Sequence, residues 1–379
     1  MKNLSDCRVL LVDDAKANLD ILVEALKSDH KLSLAMNGEM ALQIAARTPL
    51  DLVLLDIVMP GLDGYEVCRR LRQMPETAEV PIMFLSSLEE VQNKTRGFEA
   101  GANDYLTKPF EMLEVKARVR SLLKAKAYAD AVKEKIAYDL RIAREIQMGI
   151  LPPDVQAVTE GTGLEVDAIL EPAQEVGGDL YEVLRTPEGN LVMVMGDVSG
   201  KGIPAALFMA VTMTLVRAMA PDVRRPEEIL RRVNDALVSH NPRNMFVTLL
   251  CATYEARTGQ LTYASAGHPA PVLVREGNAG FLPMEPDLVA GIRAGLAAPS
   301  QTVDLQPGDL VVFYTDGVTE ALDAAGNFYG ESELLKELAG PSGRSAAETT
   351  GALLRSVRQH AGDHTQSDDI AILTLKRRQ

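Results

Sequence analysis

Two groups of aspartates lie where their spacing could do chemistry. In the first, Asp13 and Asp14 follow the apolar run RVLLV (8–12), and Asp56 lies in DLVLLDIVMP (51–60). Ser86 ends VPIMFLS (80–86), and Lys108 falls near the end of NDYLTKPF (103–110). Three carboxylates held close repel one another, so the cluster calls for a cation, and an all-oxygen ligand set suits Mg²⁺. A hard cation there would hold a phosphate beside Asp56, with Ser86 and Lys108 on the phosphate oxygens. A carboxylate so placed can attack phosphorus and carry an aspartyl phosphate.

The second group sits in glycine-rich or turn contexts. Asp179 is in VGGDLYE (176–182), Asp197 in VMGDVSGKG (194–202), Asp316 in FYTDGVTE (313–320), and Asp368 and Asp369 in SDDIAIL (367–373). The first three follow or end apolar, strand-like stretches, and the pair precedes one. Glycine beside an acid lets backbone approach a cation closely. Well-separated acids at strand ends are what a two-cation site requires. Two ions about 3.5–4 Å apart can polarise a phosphoryl group and activate a shared water.

Other motifs lead nowhere. GGDLYE superficially matches the GGDEF signature of diguanylate cyclases, but Leu180 holds the fourth position and the surrounding chain differs. GDVSGKG has glycines one residue too close for a phosphate-binding loop, and Gly202 replaces its Ser/Thr. His268, in AGHPAP (266–271), has no paired Ser or Cys motif and reads as part of a structural turn.

The elements that position these residues change type along the chain. Residues 8–124 alternate short apolar runs with amphipathic stretches such as ANLDILVEALK (17–27). That alternation predicts an α/β doubly wound domain with a parallel sheet, whose ligands sit beyond the C-terminal strand ends. Asp13, Asp14, Asp56, Ser86 and Lys108 then converge on one edge. From Glu111 to Gly149 there is no internal proline or glycine. Val115, Val119, Leu122, Ala125, Ala129, Val132, Ile136, Leu140, Ala143 and Ile146 step by three or four. This predicts one long helix that pairs with a second copy as a dimeric coiled coil. LPPD (151–154) stops it. Beyond it, TPEGN (186–190), EARTGQ (255–260), LQPGD (305–309) and DAAGN (323–327) mark tight turns between strands. Helical stretches lie at 203–219, 226–239 and 331–340. The expected domains are 1–124, a helical linker 125–150, and an α+β domain 151–379.

The chain has 379 residues, 39 Lys+Arg against 53 Asp+Glu, and a net charge of −14. That balance, with no basic recognition helix, argues against nucleic acid as a partner. No apolar run reaches 18 residues and the N-terminal run is too short for a signal peptide, so no membrane association is expected. Cys7, Cys68 and Cys251 form no CxxC and read as bystander thiols in a reducing cytoplasm.

Residues 6–124, with the ordered set DD…D…S…KP, resemble the response-regulator receiver family. The resemblance implies that Asp56 is the phospho-acceptor, phosphorylated by a sensor histidine kinase or a phosphotransfer protein. Asp14 would bind Mg²⁺ directly, Asp13 mostly through water, and the Val58 carbonyl would also ligate. Tyr105 stands at the family's aromatic switch position. Residues 140–377, with AREIQMGILP (143–152), AGHPAP and the four acidic segments, resemble the PPM metal-dependent protein phosphatases in their SpoIIE-like branch. This implies a β-sandwich flanked by helices, a binuclear Mn²⁺ or Mg²⁺ centre, and protein serine/threonine phosphatase activity. Asp197 would bridge both ions, Asp179 and the Val198 carbonyl would complete one shell, and Asp316 and Asp368 the other. Asp368 is preferred because the family pattern puts the ligand first in its acidic pair, with Asp369 the alternative. Larger relatives carry a histidine general acid after the bridging aspartate. Here that stretch reads Val198-Ser199-Gly200-Lys201, which leaves protonation of the leaving group to water. The implied substrate is a phosphorylated STAS-domain anti-sigma-factor antagonist. The rival reading is a non-catalytic adaptor that binds a regulatory protein such as a sigma factor.

Overall fold

The computed structural model describes residues 3–86, 99–223, 225–239, 241, 243–285, 288–340 and 343–378. The chain divides into two compact units, Met1–Tyr138 and Asp139–Gln379.

In the first unit β1 (Arg8–Val12), β2 (Lys31–Ala35), β3 (Leu52–Asp56), β4 (Ile82–Ser86) and β5 (Asp104–Thr107) form a parallel sheet ordered β2-β1-β3-β4-β5. Helices α1 (Lys16–Leu26), α2 (Gly38–Ala45) and α3 (Gly64–Gln73) connect them. The central strands are uninterrupted apolar runs because both sheet faces are covered. Leu10, Val12, Val53 and Leu55 pack into one cluster with residues of α2 and α3. Val9, Leu11, Leu52 and Leu54 turn to the opposite cluster, with Leu19 and Leu22 of α1.

Helix α4 (Met112–Ile150) runs unbroken for 39 residues, within one residue of the expected ends. Val115, Val119 and Leu123 bury its first turns against the sheet. Further along, Tyr128, Val132 and Ile136 are exposed, as is Ile146. The boundary between the two units falls inside this helix.

The second unit begins with α5 (Val155–Thr159), β6 (Leu164–Glu171), β7 (Leu180–Arg185), β8 (Leu191–Val198), α6 (Ile203–Met219) and α7 (Pro226–Ser239). It continues with β9 (Val247–Glu255), β10 (Gln260–Ala266), β11 (Val272–Arg275), β12 (Asn278–Phe281), β13 (Gln301–Asp304) and β14 (Leu310–Tyr314). Last come α8 (Asp316–Thr319), α9 (Gly330–Leu338), α10 (Ala346–Ala361) and β15 (Ile370–Arg377). Two antiparallel sheets result, β13-β10-β9-β8-β7 and β12-β11-β14-β15-β6. Strand β14 shows how they stack. Val311 and Phe313 face the core shared with β7–β10, while Val312 and Tyr314 face outward onto Leu334 of α9 and Leu353 of α10. Helices α6 and α7 cover the other sheet. The layers are therefore helix, sheet, sheet, helix.

The predicted turns connect β7 to β8, β9 to β10 and β13 to β14, and DAAGN closes a bridge between Leu322 and Phe328. Helix α10 was not expected from the sequence. Its start is written there all the same: Ser345 and Glu348 form a reciprocal capping box. The stretch Ile203–Asp222 has a mean hydropathy of 1.7 and is, by length and composition alone, long and apolar enough to cross a membrane, although polar residues interrupt its apolar run. One side of α6 packs Ala205, Met209, Met213 and Val216 into the core. Ile203, Leu207 and Val211 on its other side are exposed.

Candidate functional site

The first site lies at the C-terminal edge of the parallel sheet. Asp13 and Asp14 follow β1, and Asp56 and Ser86 end β3 and β4. Lys108, joined to Pro109 by a cis peptide bond, follows β5. One carboxylate oxygen from each of Asp13, Asp14 and Asp56 lies within 4.8 Å of the others. Asp13 and Asp56 are buried and Asp14 is exposed. Lys108 Nζ lies 2.8 Å from Asp13 Oδ2 and 2.7 Å from Asp56 Oδ2. Asp13 Oδ1 accepts from the Ala15 amide and from Asn18 Nδ2, both at 2.9 Å. Burial pushes the Asp56 carboxyl up to about 6, helped by the charge of Asp13 and opposed by its hydrogen bond with Lys108. Burial disfavours the Lys108 charge, but its bonds to Asp13 and Asp56 more than compensate and raise its pKa. Ser86 Oγ is buried with no hydrogen-bond partner among the described residues. An orphaned hydroxyl beside an Asp–Lys pair fits a phosphoryl oxygen, and three clustered carboxylates fit a hard divalent cation. Val58 is exposed two residues beyond Asp56, and Tyr105 is buried against Phe84 with ring centroids 5.7 Å apart.

The second site lies at one end of the sandwich and takes residues from both sheets. Asp179 precedes β7 and Asp197 lies in β8. The pairing of Leu180 with Gly196 sets them side by side. Asp316 starts α8 directly after β14, and Asp368 and Asp369 precede β15. Thr315 joins the sheets: its Oγ1 donates to Asp179 Oδ2 at 2.7 Å and accepts from the Ala371 amide at 2.9 Å.

The two members of the acidic pair have different surroundings. Asp369 is buried, and its carboxylate accepts from the amides of Ala173 at 2.7 Å and Gly178 at 2.6 Å. It thereby fixes the loop that carries Asp179. Asp368 is partly exposed and pairs with Lys201 at 3.2 Å. A Cβ on Gly177 would come within 2.1 Å of Asp369 Oδ2, and one on Gly317 within 1.9 Å of the Asp369 carbonyl. Only glycine permits these approaches. The Val198 carbonyl borders the same loop, 2.8 Å from where a Cβ on Gly178 would stand.

The electrostatics are those of crowded acids. Burial, then the charges of Asp316, Asp368 and Asp369, push Asp197 up to about 7. Burial and the charges of Asp197 and Asp369 hold Asp179 well above the carboxylate range, and burial with Glu320 and Asp368 nearby raises Asp316. Carboxylates that resist ionising together take up either protons or cations, so the donor set fits divalent ions. Its acids are spread over two sheets rather than gathered in one tight trio, as ligands divided between two ions sharing Asp197 would be.

Three contributors carried no role from the sequence. Thr315 is one, and the loop-ordering part of Asp369 is another. The third is Gln147 in the last turns of α4. Its Nε2 donates to the Gly177 carbonyl at 2.6 Å and its Oε1 accepts from the Gly177 amide at 3.1 Å. A lone glutamine between Ile146 and Met148, at the apolar end of the helix, was the available signal. Nearby, Arg217 of α6 binds both the Ile150 carbonyl at the end of α4 and Glu182 of β7. His268 lies in a buried turn after β10.

Comparison with known proteins adds the following. The family model described as "Stage II sporulation protein E (SpoIIE)" matches residues 187–378, about half of the chain, and the response regulator receiver model matches 9–120. Response regulator PleD of Caulobacter vibrioides is 37% identical over 177 residues, covering 46% of this chain and 37% of that protein. Phosphoserine phosphatase RsbU of Bacillus subtilis is 28% identical over 248 residues, covering 65% of this chain and 72% of that protein. The solved SiaA-PP2C domain of Pseudomonas aeruginosa shares the fold. Its TM-score is 0.58 at 24% identity, and the match covers 65% of this chain and 98% of that one.

Proposed function

Because the chain belongs to the SpoIIE family, with a PPM-type phosphatase domain behind a response-regulator receiver domain, we propose that it is a phosphorylation-controlled protein serine/threonine phosphatase. One observation carries this reading: Asp179, Asp197, Asp316 and the Asp368–Asp369 pair, far apart in sequence, converge from both sheets on one end of the sandwich. A non-catalytic adaptor has no need of buried acids that repel one another.

In the receiver, Asp56 is the phospho-acceptor for a sensor histidine kinase or a phosphotransfer protein. Asp13, Asp14, Asp56 and the Val58 carbonyl would hold Mg²⁺, which neutralises charge on the phosphoryl oxygens when bound. Lys108 already lies on Asp56, and Ser86 Oγ is free to donate to a phosphoryl oxygen. Tyr105 is the residue we assign to signal this state outward.

In the phosphatase, Asp197 would bridge two Mn²⁺ or Mg²⁺ ions, with Asp179 and the Val198 carbonyl on one and Asp316 and Asp368 on the other. When bound, the ions activate a water and polarise the phosphoryl group. Asp369, committed to backbone amides, keeps the Asp179 loop in place. Water attacks phosphorus, the phosphorus–oxygen bond to serine or threonine breaks, and the alkoxide takes its proton from water. The substrate we propose is a phosphorylated STAS-domain anti-sigma-factor antagonist.

Coupling runs through α4. Gln147 ties its last turns to Gly177, two residues from Asp179, and Arg217 ties its end to α6, which follows the Asp197 loop. A helix displacement would therefore reach ligands on both loops. The exposed Val132, Ile136 and Ile146 support a homodimer through this helix. The three buried cysteines, none of them in a disulfide among the described residues, support a cytoplasmic setting.

The test is Mn²⁺-dependent release of phosphate from a phosphoserine STAS protein, with and without beryllofluoride, using Asp197→Ala as control. Turnover that needs both metal and Asp197 supports the phosphatase, and a response to beryllofluoride supports the switch. No turnover in either state, with metal and cognate substrate present, would replace this reading with the adaptor.

A further inference from the structure

His268 is a buried titratable group that the proposed reaction leaves unused. Its surroundings give it a place. The loop that carries it docks on β9 through a bridge between Gly267 and Leu249. Ser265 Oγ accepts from the His268 amide at 2.9 Å and donates to the His268 carbonyl at 3.0 Å, which locks the backbone. Gly267 has a φ of 72°, and a Cβ there would meet Val289 Cγ1 at 2.7 Å, so the loop has one way to close.

The ring itself reaches both sheets. Nδ1 lies 2.9 Å from Thr248 Oγ1, and Thr248 stands directly opposite Asp197 in the β8–β9 ladder. Directly opposed residues project from the same sheet face with their Cβ atoms about 4.5–5.5 Å apart. On its other side the ring lies against the backbone of Tyr314, the last residue of β14, two positions before Asp316. Burial drives the imidazole down to about 3, so it is neutral throughout the working range. Its Nε2 is buried without a hydrogen-bond partner among the described residues. Carrying a polar ring into such a place has a cost that an aliphatic side chain would avoid.

We infer that His268 is a positioning residue, a neutral strut between the Asp197 strand and the Asp316 strand that sets the distance between metal ligands on the two sheets. This rests on the two-ion reading above. It acts through Thr248 on one side and the Tyr314 backbone on the other, and touches neither substrate nor ligand.

The experiment measures Mn²⁺ binding to the full chain by titration calorimetry and by electron paramagnetic resonance, beside melting in EDTA. The variants are Thr248→Val, Thr248→Ser, His268→Leu and His268→Asn. Thr248→Val and His268→Leu should weaken Mn²⁺ binding about tenfold, the scale of an outer-shell partner of a metal site. Thr248→Ser should bind as the parent does. Turnover of Thr248→Val should recover at saturating Mn²⁺, so that the half-saturating metal concentration moves more than kcat. His268→Asn, which keeps a polar group near the Nδ1 position, should fall between His268→Leu and the parent.

Unchanged Mn²⁺ affinity in Thr248→Val and His268→Leu would overturn the strut. So would losses that track a fall in the EDTA melting temperature without rescue by Thr248→Ser. A parent protein that binds Mn²⁺ but leaves phosphoserine untouched would remove the phosphatase reading and leave the strut to be judged on affinity. A parent that binds no Mn²⁺ would remove both.

Discussion

The two acidic sites handle the same problem in opposite ways. In the receiver, Lys108 supplies a resident cation, bonded to the buried carboxylates of Asp13 and Asp56. In the sandwich, the acids at the centre have none among the described residues. Lys201 is half-exposed and pairs with Asp368 at the rim, where solvent screens it. Burial raises all three acids, Asp56 to about 6, Asp197 to about 7 and Asp179 strongly; the bond to Lys108 opposes the rise at Asp56, whereas neighbouring aspartates add to it at Asp197 and Asp179. The lesson is functional. On the proposed reading, a site that would accept and release a phosphoryl group keeps a built-in countercharge, whereas one that would keep two metal ions leaves its charge uncompensated until they bind.

The largest effect that would test this contrast comes from Asp197→Ala. Removing the proposed shared ligand should lower phosphoserine hydrolysis by roughly 10³-fold, the scale of losing a main electrostatic group. Asp56→Ala should leave unstimulated hydrolysis intact and abolish its response to beryllofluoride. Equal losses in both variants, measured as released phosphate, would mean that the two sites are not separate in role.

Next in size is Gln147→Ala. It removes both hydrogen bonds to Gly177 while leaving every acid in place. Hydrolysis should drop about tenfold, the cost expected of a partner that only orients a metal loop, and the response to beryllofluoride should shrink with it. A variant with weakened hydrolysis and an undiminished fold response would separate metal-loop support from signalling.

The smallest effect is one of pH and stability. An acid whose pKa is raised on folding holds its proton to higher pH in the native state than in the unfolded chain. Its contribution therefore falls as pH climbs from the ordinary value of 3.8 through about 7 for Asp197. In EDTA, the melting temperature of the phosphatase unit should fall by several degrees between about pH 5.5 and about pH 8. Saturating Mn²⁺ should reverse that slope. The receiver transition, whose Asp56 is paired with Lys108, should change less over the same range. A larger change in the receiver would break the comparison.

Much of this architecture was legible in the chain. The receiver strands could be read because a sheet covered on both faces demands unbroken apolar runs, as in RVLLV and DLVLLD. The sandwich turns could be read because a tight reversal at Gly189 or Gly259 needs a positive φ. The acids could be read because each occupies a strand end beside a turn or glycine. Helix α10 escaped, although its capping box was written in Ser345 and Glu348.

What the sequence by itself determined is thus the inventory: which residues are acidic, where strands and turns fall, and that one helix runs unbroken from Met112 to Ile150. What only the tertiary structure decided is how neighbouring residues divide their work. Asp368 and Asp369 are adjacent and chemically identical, yet one faces Lys201 at the rim and the other is taken up by the amides of Ala173 and Gly178. Gln147 and Gly177 are 30 positions apart and meet only when the helix packs on the loop. Local rules act over a few residues, through backbone geometry and periodicity. Partners for a buried polar group are chosen by whichever distant strand or loop the fold brings within hydrogen-bond reach.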